Sequence, residues 1–160
     1  MSQVLSKGQQ ILVQVVKEPI STKGPRLTCE LSLAGRYMVL VPFSNSINVS
    51  KKIADGEERK RLVRLISSIK PENFGVIIRT VAKTKSVGEL DRDLRNLVDG
   101  WKEGIKKLHQ TKPREKVIGE LSRASSLIRD ILNESFDSVV VDDKEMYEEI
   151  KGYVQKIAAD

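Results

Sequence analysis

Arg79 and Thr80 are the residues of this sequence whose types and spacing best suit binding chemistry. They follow directly on the apolar run 75–78, which is typical of a buried strand. A planar guanidinium and a hydroxyl, both fixed at the end of a strand, are suited to holding a terminal phosphate. Alternatively, the strand only reaches water here, and Arg79 forms an ion pair with a nearby carboxylate. The residues alone slightly favour this second interpretation.

Asp142 and Asp143 are a second candidate, because carboxylates at a strand end can hold magnesium for phosphodiester chemistry. Adjacent residues of an extended chain point to opposite faces, however, so a helix cap formed with Glu145 explains them better. His109 stands alone near the end of a predicted helix, without a second ligand for zinc. Walker, GxSxG and HExxH motifs are absent from the sequence. The residues therefore predict neither a catalytic nor a metal site.

The charge is unevenly distributed along the 160 residues. Residues 1–129 carry 25 Lys and Arg against 13 Asp and Glu, whereas residues 130–160 carry 3 against 9. The basic part suits a polyanion such as RNA, with ordinary solvated faces as the alternative. Because aromatic residues make up only 4% of the chain, nucleic acid would be held mainly through phosphate and backbone contacts, not by base stacking.

Composition also indicates the cellular compartment. The first ten residues contain no apolar signal segment, and no apolar run is long enough to span a bilayer. Cys29 is the single cysteine, which excludes an internal disulfide and favours a reducing cytoplasm.

Several strands are predicted around the candidate pair. Besides residues 75–78, apolar runs predict strands over residues 10–16, 27–33, 37–41 and 138–141. In residues 27–33 every second residue is apolar, which predicts a strand with one buried face. This pattern places Cys29 in the core as a small apolar residue and not as a reactive thiol.

Helices are predicted between these strands. Asp55 with Glu58, and Ser86 with Glu89, have the spacing of capping boxes that open two helices. The second helix is about 24 residues long, and Trp101 lies on its apolar stripe, which indicates a core position. Two shorter amphipathic helices flank residues 138–141. The order of elements predicts an α+β fold with a partly α/β tail, and Pro113 is the best candidate for a boundary.

Ordered segments of the chain resemble the ribonuclease E/G family of bacterial endoribonucleases. The segments are KGQQILVQVVKEP, STKGPRLTCELSLAGRYMVLVP, INVSKKI, DGEERKRL and FGVIIRTVA, continued by GELDRDLRNLVDGWKEGIKK, RDIL and VVVDD. The similarity extends over essentially all 160 residues. It implies a cytoplasmic hydrolase that cleaves single-stranded RNA during RNA processing and decay.

The resemblance also implies a domain organisation. Residues 1–29 are similar to the last strands of an OB-fold RNA-binding domain, and residues 30–123 to a 5′-sensor domain, a sheet with two helices. Residues 124–160 are similar to part of an RNase H-like domain, a partial α/β unit. The family's catalytic magnesium ligands, and the cysteine motif that joins subunits of a homo-oligomer through zinc, lie outside these parts. We therefore expect a fragment that is inactive alone and has no cofactor of its own.

Four residues match the family's 5′-phosphate pocket. Arg79 and Thr80 match the arginine and threonine that bind the 5′-monophosphate of the RNA. Val39 matches the position whose backbone assists them, and Gly35 the position against which the terminal base lies.

Three lysines match weaker RNA contacts. Lys23 matches a lysine near the RNA path at the edge of the OB-fold. Lys51 and Lys52 replace an arginine pair of the family, so that charge is retained but the bidentate fork is lost. A non-catalytic RNA-binding or assembly module, in which Arg79 is a structural ion pair, remains the alternative.

Overall fold

The computed structural model describes residues 4–119, 121–133 and 135–157. Within these ranges the fold is mixed α+β, as predicted, with six short strands and four α-helices. The chain divides into two compact units, Met1–Ile118 and Gly119–Asp160.

The strands form two sheets in the first unit. They are β1 Gln14–Lys17, β2 Arg26–Thr28, β3 Leu33–Ala34, β4 Met38–Pro42, β5 Ile47–Val49 and β6 Phe74–Ile78. β1 and β2 form an antiparallel hairpin. The second sheet has the order β3-β4-β6-β5, in which β3, β4 and β6 are antiparallel and β5 runs parallel to β6.

The helices are α1 Gly56–Ile69 and α2 Val87–Leu108 in the first unit, and α3 Arg123–Ile131 and α4 Lys144–Ile157 in the second. One face of the four-stranded sheet and the apolar stripes of α1 and α2 form the core of the first unit. Its fully buried side chains include Met38, Leu40, Leu62, Ile66, Val76, Ile78 and Leu90. Trp101 is 7% exposed, which confirms its predicted core position.

Local caps explain where α1 and α2 begin. Ser86 and Glu89 form the predicted capping box, since each side chain accepts the backbone N–H of the other residue, at 3.3 and 2.9 Å. Asp55 caps α1 by accepting the N–H groups of Glu57 and Glu58. Glu58 does not complete a box there. Its carboxylate binds Arg61 and the N–H of Thr84 instead.

The predicted strand over residues 27–33 is wrong, and so is the burial of Cys29. The chain bends at residues 29 and 30, where the N–H of Glu30 donates to Thr28 Oγ1 at 3.1 Å. Cys29 is exposed and Leu27 is 51% exposed. The alternation therefore belongs to two separate strands, and the face that it would bury is not covered in this region. The strand predicted over residues 10–16 begins later, at Gln14.

The strand predicted over residues 138–141 is also wrong. The structure describes these residues and assigns them no strand. Val139 is 39% exposed and Val140 91% exposed. A strand needs a neighbour to pair with its backbone, and the described part of the second unit places none beside this run.

Candidate functional site

The candidate pair lies where β6 leaves the sheet. The N–H of Arg79 continues the ladder by donating to the carbonyl of Tyr37 at 2.8 Å. Thr80 then opens a short 3₁₀ turn, Thr80–Ala82. Arg79 is half-buried and Thr80 is exposed, so the two residues lie at the boundary between the sheet and solvent.

The guanidinium of Arg79 is held by backbone carbonyls of the turn between β3 and β4. Its Nη1 donates to the carbonyl of Gly35 at 2.8 Å and to that of Arg36 at 3.3 Å. Both carbonyls belong to the main chain, which moves less than a side chain. The alternative of an ion pair with a nearby carboxylate stays open, because the charge of Arg79 also acts on the carboxylate of Asp93.

Thr80 is linked to the loop that follows β5. The hydroxyls of Thr80 and Ser50 lie 3.0 Å apart, and the N–H of Ser50 donates to the carbonyl of Ile78 at 2.9 Å. Ser50 Oγ also accepts the N–H of Lys52 at 3.3 Å. The loop therefore fixes the surroundings of the Thr80 hydroxyl, a role for Ser50 that the sequence did not reveal.

The positions of Gly35 and Val39 follow from the sheet. Gly35 is buried, and a Cβ built on it would lie 2.7 Å from Asp93 Oδ2 and 2.8 Å from Leu97 Cδ1. This close approach requires a residue without a side chain. Val39 is half-buried in β4, where it pairs with Ala34 of β3 on one side and with Ile77 of β6 on the other.

Asp93 of α2 is the residue of this region that sequence reasoning missed. Its carboxylate accepts three consecutive backbone N–H groups, those of Arg36 at 3.0 Å, Tyr37 at 2.8 Å and Met38 at 3.2 Å. Burial raises the pKa of Asp93 above its ordinary value, while these three hydrogen bonds and the charge of Arg79 act in the opposite direction.

A signal for Asp93 was present in the sequence. Leu90, Leu94 and Leu97 mark the apolar stripe of α2, and Asp93 lies at the same helical spacing, three residues after Leu90. A carboxylate on a buried stripe needs hydrogen-bond partners. The sequence does not identify those partners, because they lie more than 50 residues earlier.

A second charged cluster lies around the ring of Tyr37. Arg36 and Lys85 approach this ring at 5.4 and 5.6 Å from its centroid. Glu89 accepts from the Tyr37 hydroxyl at 3.3 Å and pairs with Lys85 at 3.0 Å. Burial raises the pKa of Tyr37. The cations of this cluster add positive charge beside the turn that holds Arg79.

The structure separates the three predicted lysines. Lys51 and Lys52 are exposed and follow β5, where Lys52 touches the site through the bond of its N–H to Ser50. Lys23 is exposed between β1 and β2, where its N–H and carbonyl bond those of Ile20. Of the three, Lys51 and Lys52 belong to the loop whose Ser50 hydroxyl lies 3.0 Å from that of Thr80.

The acidic pair and the histidine occupy helix ends. Asp143 Oδ1 accepts the N–H of Met146 at 2.8 Å, so Asp143 caps α4 as the sequence indicated. Asp142 is exposed. His109 is the C-terminal cap of α2. Within the described ranges, no group of three or more His, Cys, Asp or Glu is arranged to hold a metal ion.

An arginine held by main-chain carbonyls and followed by an exposed threonine, at the end of a sheet strand, defines an α+β protein with a candidate anion-binding site. The chain belongs to the Ribonuclease E/G family, whose sequence model matches residues 32–160. It is therefore related to the ribonuclease E/G endoribonucleases. Of the helices that the structure describes, none has the length and apolarity to cross a membrane.

Curated ribonuclease G and ribonuclease E proteins are similar to this chain. Ribonuclease G of Escherichia coli (strain K12) is 35% identical over 147 residues, which is 92% of this chain and 30% of the relative. Ribonuclease E of Nostoc sp. is 34% identical over 154 residues, 96% of this chain and 22% of the relative. Ribonuclease E of Synechocystis sp. is 39% identical over 139 residues, 87% and 20%. The chain thus spans less than a third of the length of these relatives.

Proposed function

We propose that this chain is the part of a ribonuclease E/G-type endoribonuclease that recognises the 5′-monophosphate end of single-stranded RNA. One observation carries the proposal. The guanidinium of Arg79 is positioned by the carbonyls of Gly35 and Arg36, and the next residue along the chain, Thr80, is exposed, with its hydroxyl 3.0 Å from that of Ser50. A fixed cation and a hydroxyl at a surface are the groups that a terminal phosphate requires.

The chemistry of the RNA end explains the proposed selectivity. A 5′-monophosphate presents oxygens that accept hydrogen bonds from Arg79 and Thr80. A triphosphate is too bulky and too highly charged for a site built around one such group. A 5′-hydroxyl leaves the donors of the site without a charged partner, which is the situation that gives strong discrimination.

The rest of the chain would guide the RNA toward this site. Lys51 and Lys52 place two exposed cations in the loop that also holds Thr80. Lys23 would contact the RNA farther along its path, in the hairpin of β1 and β2. These exposed lysines would act through phosphate contacts, which makes binding dependent on salt.

The proposal includes the domain assignments expected from the resemblance. Residues 1–29 would complete an OB-fold, residues 30–123 would form the 5′ sensor, and residues 124–160 would belong to an RNase H-like domain. The separate hairpin of β1 and β2 supports the first assignment. Catalytic magnesium and inter-subunit zinc would be held by other parts of a cytoplasmic, homo-oligomeric parent, so this chain alone would bind RNA without cleaving it.

The experiment compares two RNAs that differ only at the 5′ end. A 10-nucleotide A/U-rich RNA with a 3′ fluorophore carries either a 5′-monophosphate or a 5′-hydroxyl, and fluorescence anisotropy gives both affinities. We expect tighter binding of the monophosphate RNA, and loss of this preference in Arg79→Ala. Arg95→Ala is the matched control, because Arg95 is an exposed arginine of α2 that pairs with Asp91. Equal affinities for the two RNAs, unchanged by Arg79→Ala, would contradict the proposal.

A non-catalytic RNA-binding or assembly module is the second candidate. The bonds of Arg79 to two carbonyls favour it, because they would also suit a purely structural arginine. In that case Arg79→Ala lowers the free energy of unfolding and weakens the binding of both RNAs equally. Circular dichroism melting of the variant, measured beside its anisotropy curves, separates the two functions.

A further inference from the structure

We propose that Asp93 is a positioning residue for the phosphate site: its carboxylate fixes the backbone of residues 35–38, whose carbonyls in turn hold the guanidinium of Arg79 in place for the phosphate. This inference rests on the proposed function and adds to it a residue that acts through Arg79. Asp93 itself would not touch the RNA.

The first step is the hold of Asp93 on the turn. Its Oδ1 accepts the N–H of Arg36, and its Oδ2 accepts those of Tyr37 and Met38, all within 3.2 Å. Three consecutive N–H groups directed at one carboxylate fix the orientation of the peptide planes between them. Hydrogen bonds to an ionised acceptor are stronger than neutral ones, particularly where water is excluded.

The second step is the hold of the turn on Arg79. The carbonyls of Gly35 and Arg36 accept from Nη1 of Arg79 at 2.8 and 3.3 Å. The peptide between Arg36 and Tyr37 joins the carbonyl of Arg36 to the N–H of Tyr37, which Asp93 accepts. A rotation of that peptide would move the carbonyl away from Arg79 and the N–H away from Asp93. The two sets of bonds are therefore made or lost together.

The third step is the fixed position of Asp93 itself. Leu90 and Leu94, on either side of it along α2, are 0% and 2% exposed. The packing of α2 in the core therefore sets the height and rotation of the carboxylate. Gly35 allows the final approach, because any Cβ there would lie 2.7 and 2.9 Å from the two Asp93 oxygens. Core packing is transmitted in this way to the surface site.

The charges around the site are consistent with this role. Arg36 belongs to the turn, Arg79 donates to its carbonyls, Lys85 lies over the Tyr37 ring, and Glu89 pairs with Lys85. The Asp93 charge is distributed over three N–H groups and interacts with that of Arg79. Asp93 can therefore position the groups of the anion site without its own carboxylate occupying that site.

The test is Asp93→Asn, which keeps the shape of the side chain and replaces one oxygen by an NH₂ group. An NH₂ group cannot accept, so either the Arg36 N–H or the Tyr37 and Met38 N–H groups lose their partner. We expect the ratio of monophosphate to hydroxyl affinity to fall by about tenfold, the effect of losing one charged hydrogen bond. Affinity for the hydroxyl RNA should stay unchanged. Asp99→Asn, an exposed carboxylate of the same helix, should leave both affinities unchanged.

A measurement on the unmodified protein does not depend on the folding of a variant. Proton–nitrogen NMR follows the amide resonances of residues 36–38 during titration with each RNA. We expect these resonances to shift with the monophosphate RNA and to stay in place with the hydroxyl RNA. Resonances that respond equally to both RNAs would overturn the inference.

The outcomes distinguish this inference from the proposed function. If Arg79→Ala keeps the preference for the monophosphate, the proposed function itself fails. If Arg79→Ala abolishes the preference but a folded Asp93→Asn retains it, the function stands and the role of Asp93 is refuted. If the role of Asp93 is purely structural, Asp93→Asn lowers the melting temperature and weakens the binding of both RNAs equally. The ratio of monophosphate to hydroxyl affinity then stays unchanged.

Discussion

Replacing Gly35 by alanine tests the contact on which the geometry of the site depends. The new Cβ would lie 2.7 and 2.9 Å from the two oxygens of Asp93 and 2.8 Å from Leu97 Cδ1. Ordinary van der Waals contact begins near 3.4 Å, so these atoms must separate by roughly half an ångström or more. Neither neighbour moves easily, because Asp93 is bound by three N–H groups and Leu97 is 9% exposed in the core.

The expected cost follows from two opposing effects. Overpacking of this kind destabilises by about 1–3 kcal/mol. Alanine recovers about 0.4–1 kcal/mol, because it restricts the unfolded chain more than glycine does. The net loss in the free energy of unfolding is therefore about 1–2 kcal/mol, which lowers the melting temperature by roughly 3–10 °C for a unit of this size.

Calorimetry and chemical denaturation measure the stability change, and the two-RNA anisotropy assay measures the loss of preference for the 5′-monophosphate. Gly24→Ala is the matched control, because a Cβ at Gly24 meets nothing within 4 Å. Its melting temperature should stay the same or rise slightly. If Gly35→Ala melts at the temperature of the control and keeps the preference for the monophosphate, the packing argument is refuted.

Three further predictions follow from contacts of the first unit. Ser50→Ala removes the hydroxyl beside Thr80 and should reduce monophosphate affinity a few-fold in the anisotropy assay, whereas an equal reduction for the hydroxyl RNA would count against it. Cys29 is exposed and should react with a thiol reagent in the native protein as fast as in denaturant, which mass spectrometry records. Hydrogen bonds from Arg61 lower the pKa of Glu58 from 4.5 to about 2, so Glu58→Gln should cost about 1–2 kcal/mol at pH 7 after allowance for solvent screening. Because the folded pKa is the lower one, this stabilisation should be complete above about pH 5 and disappear as the pH falls from 4.5 toward 2, which denaturation curves at several pH values would show.

Local patterns predicted the helices of the first unit correctly. The Ser86–Glu89 box and the apolar stripe containing Trp101 both appear in α2, because a cap and a 3.6-residue period involve only neighbours along the chain. The strands were less predictable. Alternation in residues 27–33 shows that one face is apolar, but the burial of that face depends on another layer, which does not cover Leu27 or Cys29 here.

The candidate site, too, was determined partly by the sequence and partly by the tertiary structure. By itself the sequence determined that Arg79 and Thr80 stand together at the end of an apolar strand, and its resemblance to the ribonuclease E/G family suggested what they bind. Only the tertiary structure decided that Arg79 donates hydrogen bonds to the carbonyls of Gly35 and Arg36, and that Asp93 accepts hydrogen bonds from the N–H groups of this turn. These partners lie tens of residues apart along the chain. The bonds of Arg79 form only when β6 pairs with β4, and those of Asp93 only when α2 packs on the sheet. No pattern of neighbouring residues encodes these contacts.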